Sequence, residues 1–240
     1  MDKDIVLQIL ANFIHQIINP IGGVAGTLDN IADGTIQPDK VRQRANAARS
    51  QLEQVVSLVR NLDFFVKFLV DPKFQYDGKS FKLCVIPQLL IEAMQFYQEQ
   101  ANKFSITLQL VNREDQYAVY GNPDLLRQVF MNIFDNAVKY SSSHTDVKVS
   151  MRVQRDTQKL IIEFISQSSE IENNEKELIF NYGYRGKYAK QKTSSGSGIG
   201  LFICKNIIEK IFKGEIRMEY SKKLKTATTF IYFPEWKRND

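Results

Sequence analysis

His15 is one of two histidines in a chain of 240 residues, with Asn19 four positions on and Pro20 directly after it. An imidazole changes charge near neutral pH, which makes His15 a candidate chemical centre. Two further groups of residues could do chemistry. Asn132, Asn136 and Lys139 recur at helical spacing, and neutral amides suit a hydrated Mg2+ while a lysine neutralises phosphate charge. Gly196, Gly198 and Gly200 alternate just ahead of an apolar stretch that reads as a helix. Closely spaced glycines let backbone N–H groups approach phosphate oxygens, and a helix N-terminus favours negative charge. Each group taken alone has a plainer reading: an idle exposed histidine, a polar helix surface, a flexible hinge.

The elements that must position these residues divide the chain near Pro72. Before it, Leu7, Leu10, Ile14, Ile17, Ile21, Val24, Leu28 and Ile31 follow spacings of three and four, a heptad seam. Asp33 to Pro38 supplies a stop and a turn, and a second seam runs from Val41 through Leu52, Val59 and Val66 to Leu69. With Ile14 at an a position, His15 falls at b and Asn19 at f, sharing one face outside the seam. Pro20 predicts a kink or local loosening beside them. An antiparallel hairpin with this much apolar surface is expected to pair with a second copy, giving a dimeric four-helix bundle. A monomeric hairpin folded against the downstream domain is the alternative.

After Pro72 strands and helices alternate. Strands are expected near Ser80–Val85, Ser105–Val111, Tyr117–Tyr120, Val147–Gln154 and Lys159–Ser166, and a closing hairpin at Gly214–Tyr220 and Thr226–Phe233. Helices are expected over Pro87–Lys103, Asp124–Tyr140 (announced by Gly121-Asn122-Pro123) and Gly198–Phe212. Residues 167–195 read as a long mobile loop. The fold class is α+β, with helices on one face of a mixed sheet behind the N-terminal hairpin.

Composition narrows the partners. The net charge of +5 is spread along the chain, so nucleic acid is not expected as a partner. No apolar run is long enough to span a bilayer and the N-terminal residues lack a signal-peptide plan, so a cytoplasmic location is expected. Cys84 and Cys204 lie far apart in apolar surroundings, as buried free thiols in a reducing compartment.

Taken in order, these residues resemble the boxes of sensor histidine kinases. His15-Gln-Ile-Ile-Asn19-Pro20 resembles the H box, and Asn132-Ile-Phe-Asp-Asn136-Ala-Val-Lys139-Tyr140 the N box. Ile179-Phe180 with Tyr184-Arg185-Gly186 is similar to the F box, and Gly196-Ser-Gly198-Ile-Gly200-Leu to the second glycine box. The resemblance covers essentially the whole chain. It implies a dimerisation and phosphotransfer hairpin (1–72) followed by an ATP-binding domain (73–240) of the gyrase, Hsp90, histidine-kinase and MutL type. It further implies His15 as phosphoacceptor, Asn136 as Mg2+ ligand with Asn132 nearby, and Lys139 and Tyr140 facing the nucleotide. Residues 167–195 would be the ATP lid, Gly196, Gly198 and Gly200 would cradle phosphate, and a response-regulator receiver domain would be the partner.

Two positions depart from the family pattern. Where the family has an Asp-x-Gly-x-Gly box, whose aspartate accepts the adenine amino group, this chain has Ser166-Gln167-Ser168-Ser169-Glu170. Replacing a charged acceptor by a hydroxyl costs about 1–3 kcal/mol, roughly ten- to a hundredfold in affinity. The residue after the phosphoacceptor is usually an acid, and here it is Gln16, which can orient a histidine but cannot take its proton. Three functions are therefore expected in order: an ATP-dependent histidine kinase, a phosphotransferase or response-regulator phosphatase with weakened ATP binding, and a pseudokinase scaffold.

Overall fold

The computed structural model describes residues 3–70, 78–111, 113–168, 170–193 and 196–239. The boundary expected at Pro72 lies outside the described residues. Two long helices come first, α1 (Lys3–Ala32) and α2 (Pro38–Val70). Gly34 closes α1 at φ +69°, a conformation suited to a residue without a Cβ, and the Ile36 N–H reaches back to the Asn30 carbonyl at 3.2 Å. Pro20 does not end α1, which continues for twelve residues beyond it.

The hairpin buries only half of its seam. Ile9 and Phe13 of α1 and Phe64, Phe65 and Phe68 of α2 are buried in one core continuous with the downstream domain. Phe65 takes part in this contact, its ring 6.0 Å from Tyr182 and 6.1 Å from Phe202. Leu7, Ile14, Ile21 and Leu28 of α1, and Leu52, Val59 and Val66 of α2, remain exposed. Phe13 and Phe65, which lie outside the heptad seam, are the most buried described residues of the hairpin, Phe65 against the aromatic rings of the second domain.

The second domain has β1 (Lys82–Val85), α3 (Ile86–Lys103), β2 (Thr107–Leu110), β3 (Tyr117–Gly121), α4 (Pro123–Tyr140), β4 (Asp146–Val153) and β5 (Leu160–Gln167). It continues with α5 (Lys187–Lys192), α6 (Gly200–Asn206), β6 (Glu215–Ser221), β7 (Thr226–Phe233) and β8 (Lys237–Arg238). The main sheet has the order β2-β4-β5-β7-β6, with β2 parallel to β4 and the other pairs antiparallel; β1, β3 and β8 form a second small sheet. Asn122 caps α4, its side-chain oxygen accepting from the N–H groups of Asp124 and Leu125, and Pro123 takes the first helical position. Leu125, Leu126, Phe130, Ile133 and Phe134 then bury one face of α4, Phe130 and Phe134 against Phe164 of β5. At roughly 1.5–3 kcal/mol for each fully buried side chain, this packing rather than helix propensity holds α4 in place.

Two expectations are corrected. Residues 167–195 are not a featureless loop: they hold short 3-10 turns at Asn173–Glu175 and Leu178–Phe180 and the helix α5. The helix expected to run from Gly198 to Phe212 begins at Gly200 and widens into a π-helical turn over Ile207–Ile211. The strand β8 carried no sequence signal. Cys84 and Cys204 are free and buried; burial pushes their thiols up to about 11 and about 12, which suits inert core residues.

Candidate functional site

A cavity of about 180 Å³ opens between α4, the sheet and the segment 170–200. α4 contributes Asn136, Lys139 and Tyr140, β5 contributes Phe164 and Ser166, and β7 contributes Ala227 and Thr229. Gly196, Gly198 and Gly200 border it from the opposite side, and Gln16 reaches it from α1. Sequence-predicted residues from four separate stretches therefore meet in one place. His15 and Asn19 are exposed on α1, on the turn that carries Gln16. A second cavity, lined by Gln16, Asn19, Pro20, Gln54, Tyr97 and Lys139 among others, lies between the hairpin and the domain and shares Asn61 and Asn132 with the first.

The glycines are needed for local reasons. Gly198 sits at φ +71°, and a Cβ there would come within 3.0 Å of the Gly183 carbonyl carbon and the Tyr184 oxygen. The Gly198 carbonyl accepts the Gly183 N–H at 3.0 Å, so the glycine run is tied to the segment that covers the cavity. That segment is held by Glu175, a buried carboxylate that accepts from Tyr184 Oη (3.1 Å), the Lys187 N–H (2.9 Å) and the Glu172 N–H (3.1 Å). Burial alone would raise its pKa, but the Lys187 and Glu172 N–H groups and the Tyr184 hydroxyl outweigh that and hold it below the usual value. Lys192, at the end of α5, donates to the Tyr140 carbonyl at 2.7 Å and the Ser141 carbonyl at 2.5 Å, capping the C-terminus of α4. Partial burial lowers the pKa of that ammonium.

Asn132 occupies a different place from its neighbours. Its side chain forms a reciprocal pair with Asn61 of α2: Asn61 Nδ2 donates to Asn132 Oδ1 at 2.7 Å, and Asn132 Nδ2 to Asn61 Oδ1 at 3.0 Å. Gln128 Nε2 adds bonds to Asn61 Oδ1 and Ser57 Oγ, each at 3.0 Å. Asn132 thus borders the cavity with its carboxamide committed to the hairpin. Asn136, one turn on, borders it half-buried.

The donor set can be tested against Mg2+. Among the described residues no three His, Cys, Asp or Glu side chains form a metal cluster. Asn136 offers one neutral oxygen, which fits an ion that keeps water and takes its remaining ligands from phosphate. Lys139 Nζ lies 3.7 Å from Asp135 Oδ2 and supplies positive charge at the same wall.

Sequence reasoning missed Thr229, Asn61, Glu175 and Lys192. A threonine on the inward face of β7, between Ala227 and Ile231, was the available signal for the first. An asparagine amid the apolar face of α2, between Leu58 and Phe65, was the signal for the second. The Glu172/Glu175 capping box pointed to the third. Lys192 had none.

Residues 121–237 match the family described as histidine kinase-, DNA gyrase B-, and HSP90-like ATPase. The adaptive-response sensory kinase SasA of Synechocystis sp. is 27% identical over 209 residues, covering 84% of this chain and 52% of that protein. The chain therefore spans about half the length of that relative. Among solved structures, full-length ShkA in complex with AMPPNP superposes with a TM-score of 0.58 at 16% identity, over 94% of this chain and 45% of that one. Histidine kinase ThkA in complex with response regulator protein TrrA gives a TM-score of 0.54 at 19% identity, over 93% and 60% respectively. No described helix is long and apolar enough to cross a membrane. Residues 121–237, just under half of the chain, thus match the histidine kinase-, DNA gyrase B- and HSP90-like ATPase family, and the chain as a whole is similar in sequence to sensory histidine kinases and in fold to histidine kinases of known structure.

Proposed function

We propose that the chain transfers the γ-phosphoryl group of ATP to His15 and passes it on to an aspartate of a response-regulator receiver domain. One observation carries this reading: Gln16, adjacent to His15, lines the same cavity as Asn136, Lys139 and the Gly196–Gly200 run. Groups suited to phosphate and a side chain next to the acceptor thus share one space. Phosphoryl transfer asks little of a protein beyond positioning and charge neutralisation. Asn136 would hold Mg2+, Lys139 and the backbone of Gly196, Gly198 and Gly200 would bind phosphate oxygens, and Tyr140, Ser166 and Thr229 would bound the nucleoside. Bound Mg2+ would supply charge neutralisation at the phosphates. A His15 ring nitrogen forms the new P–N bond with its lone pair as the bond from phosphorus to the ADP oxygen breaks. The Gln16 amide can orient the ring by accepting a hydrogen bond, and the displaced ring proton passes to solvent.

The domains in this reading are 1–72 and 73–240. The exposed Leu7, Ile14, Ile21 and Leu28 stripe, continued by Leu52, Val59 and Val66, supports a homodimer that buries both stripes in a four-helix bundle. Ile14→Glu should make the chain monomeric by light scattering, and an unchanged mass would remove the bundle. The location would be cytoplasmic.

Incubation with γ-labelled ATP and Mg2+ tests the main reading. Acid-labile label on the wild type and none on His15→Gln is expected; no label on either, or equal label on both, would sink it. A second reading draws on Ser166 and Gln16, which stand where the family has acids: His15 exchanges phosphate with a receiver aspartate without ATP, or Asn19 helps remove it. Under that reading a phosphorylated receiver labels His15, or loses its phosphate, in the absence of nucleotide. A receiver that keeps its phosphate throughout argues against it.

A further inference from the structure

We propose that the base end of the cavity reads its ligand through two hydroxyl groups, Ser166 and Thr229, and that the site consequently accepts guanine as well as adenine nucleotides. The inference rests on the nucleotide-site reading above. Ser166 is 8% exposed and Thr229 5%, and both line the cavity. The register of β5 and β7 pairs Ser166 with Ala227 and Phe164 with Thr229. Side chains two residues apart on a strand share a face, so both hydroxyls stand beside Phe164, on the side facing α4. They are diagonal neighbours, about 7–8 Å apart at the backbone.

Among the described residues neither hydroxyl is hydrogen-bonded to the protein, and neither oxygen is sealed off from the cavity that both residues line. Asn61, Asn122, Gln128, Asn132 and Glu175, the other buried residues with large polar side chains, are all paired. Two such hydroxyls side by side, open to a cavity rather than spent on the protein, mark a wall where a ligand or its water supplies the partners.

The type of group decides what can bind. A carboxylate only accepts hydrogen bonds; it selects the amino group of adenine and repels the O6 oxygen of guanine. A hydroxyl both donates and accepts, so rotation of two O–H bonds matches either edge: amino donor and N1 acceptor in adenine, O6 acceptor and N1–H donor in guanine. The carboxylates that do border the cavity are already engaged. Asp135 faces Lys139 at 3.7 Å, Glu170 pairs with Lys222 at 2.7 Å, and Glu175 accepts three hydrogen bonds. None provides a fixed acceptor that would restore the adenine bias.

Calorimetric titration of the chain with Mg-ADP and with Mg-GDP tests this. The two dissociation constants should lie within about tenfold of each other, since each base edge is met by the same neutral groups. Ser166→Asp should then move the ratio toward ADP by about a hundredfold, tightening ADP and weakening GDP together. Thr229→Val should weaken both nucleotides alike, with a circular-dichroism melt confirming that each variant is folded. ADP bound a hundredfold or more tighter than GDP by the wild type overturns the proposal and leaves the nucleotide site standing. A ratio unmoved in folded Ser166→Asp overturns it as well. Binding of neither nucleotide overturns both readings at once.

Discussion

Two sets of buried polar side chains border the same cavity, and the fold treats them differently. At the hairpin side, Asn61, Gln128 and Asn132 satisfy one another, and Ser57 and the Gly200 carbonyl take up further donors. At the sheet side, Ser166 and Thr229 are as deeply buried but are open to the cavity. The first set spends its hydrogen bonds on joining α2 to α4, so it behaves as structure. The second keeps its hydrogen bonds in reserve, so it behaves as a site. Burial and polarity are alike in the two places; satisfaction separates them.

The largest effect expected from this contrast is on stability. Asn61→Leu leaves the Asn132 and Gln128 amides without their shared partner in a buried place, a loss of about 2–3 kcal/mol in urea unfolding. Pairing it with Asn132→Leu should recover part of that loss, a coupling of about 1–2 kcal/mol that non-interacting sites would not show. An additive double variant would mean that the amide pair does not join the two domains.

Ser166→Ala and Thr229→Val should behave in the opposite way. Each removes a buried group that has no protein partner, so unfolding free energy should change by less than about 0.5 kcal/mol or rise. Nucleotide affinity should fall about five- to tenfold per hydroxyl, the value of one neutral hydrogen bond. A stability loss like that of Asn61→Leu would place these hydroxyls with the amides and erase the contrast.

A smaller effect concerns the segment that covers the cavity. The Glu175 carboxyl is held below its ordinary value, so its contribution is complete above about pH 4.3 and is lost as pH falls toward the depressed folded value. Acid titration of stability should show this loss, and Glu175→Gln should flatten that limb. The smallest effect is at Lys192, whose ammonium ties α5 to the end of α4. Lys192→Met should raise the rate of proteolysis within residues 170–200 while leaving global stability within about 1 kcal/mol. Unchanged cleavage would show that the ammonium does not hold the segment.

The legible parts of this molecule are those in which local pattern and tertiary demand agree. The Asn122-Pro123 start of α4, the Gly34 turn and the alternation of β7 were readable because capping, φ and pleat act within a few residues. His15 and Asn19 are exposed as the heptad register expects, but Ile14 of the seam beside them is exposed too, so in the single chain the register does not set them apart. The role of Asn132 was not readable. Its spacing from Asn136 places it at the site, but its actual partner is Asn61, 71 residues away, and nothing in the sequence announces that pairing. The segment 167–195 misled for another reason: Glu175, Tyr184 and Lys187 give it order through bonds between residues nine and twelve positions apart, not through any helical or strand period. Half of the heptad seam lies open in the single chain, while Phe13 and Phe65 outside it are buried, Phe65 against Tyr182 and Phe202 of the second domain.

The contrast between the two polar sets is tested most directly by a ¹H–¹⁵N NMR titration with Mg-ADP that follows backbone and side-chain amides together. The backbone resonances of Ser166, Thr229 and Gly196–Gly200 should shift saturably, while the side-chain amide resonances of Asn61 and Gln128 stay within their line widths. Shifts concentrated on Asn61 and Gln128 with none at Ser166 and Thr229, or no saturable shift anywhere, would contradict the account.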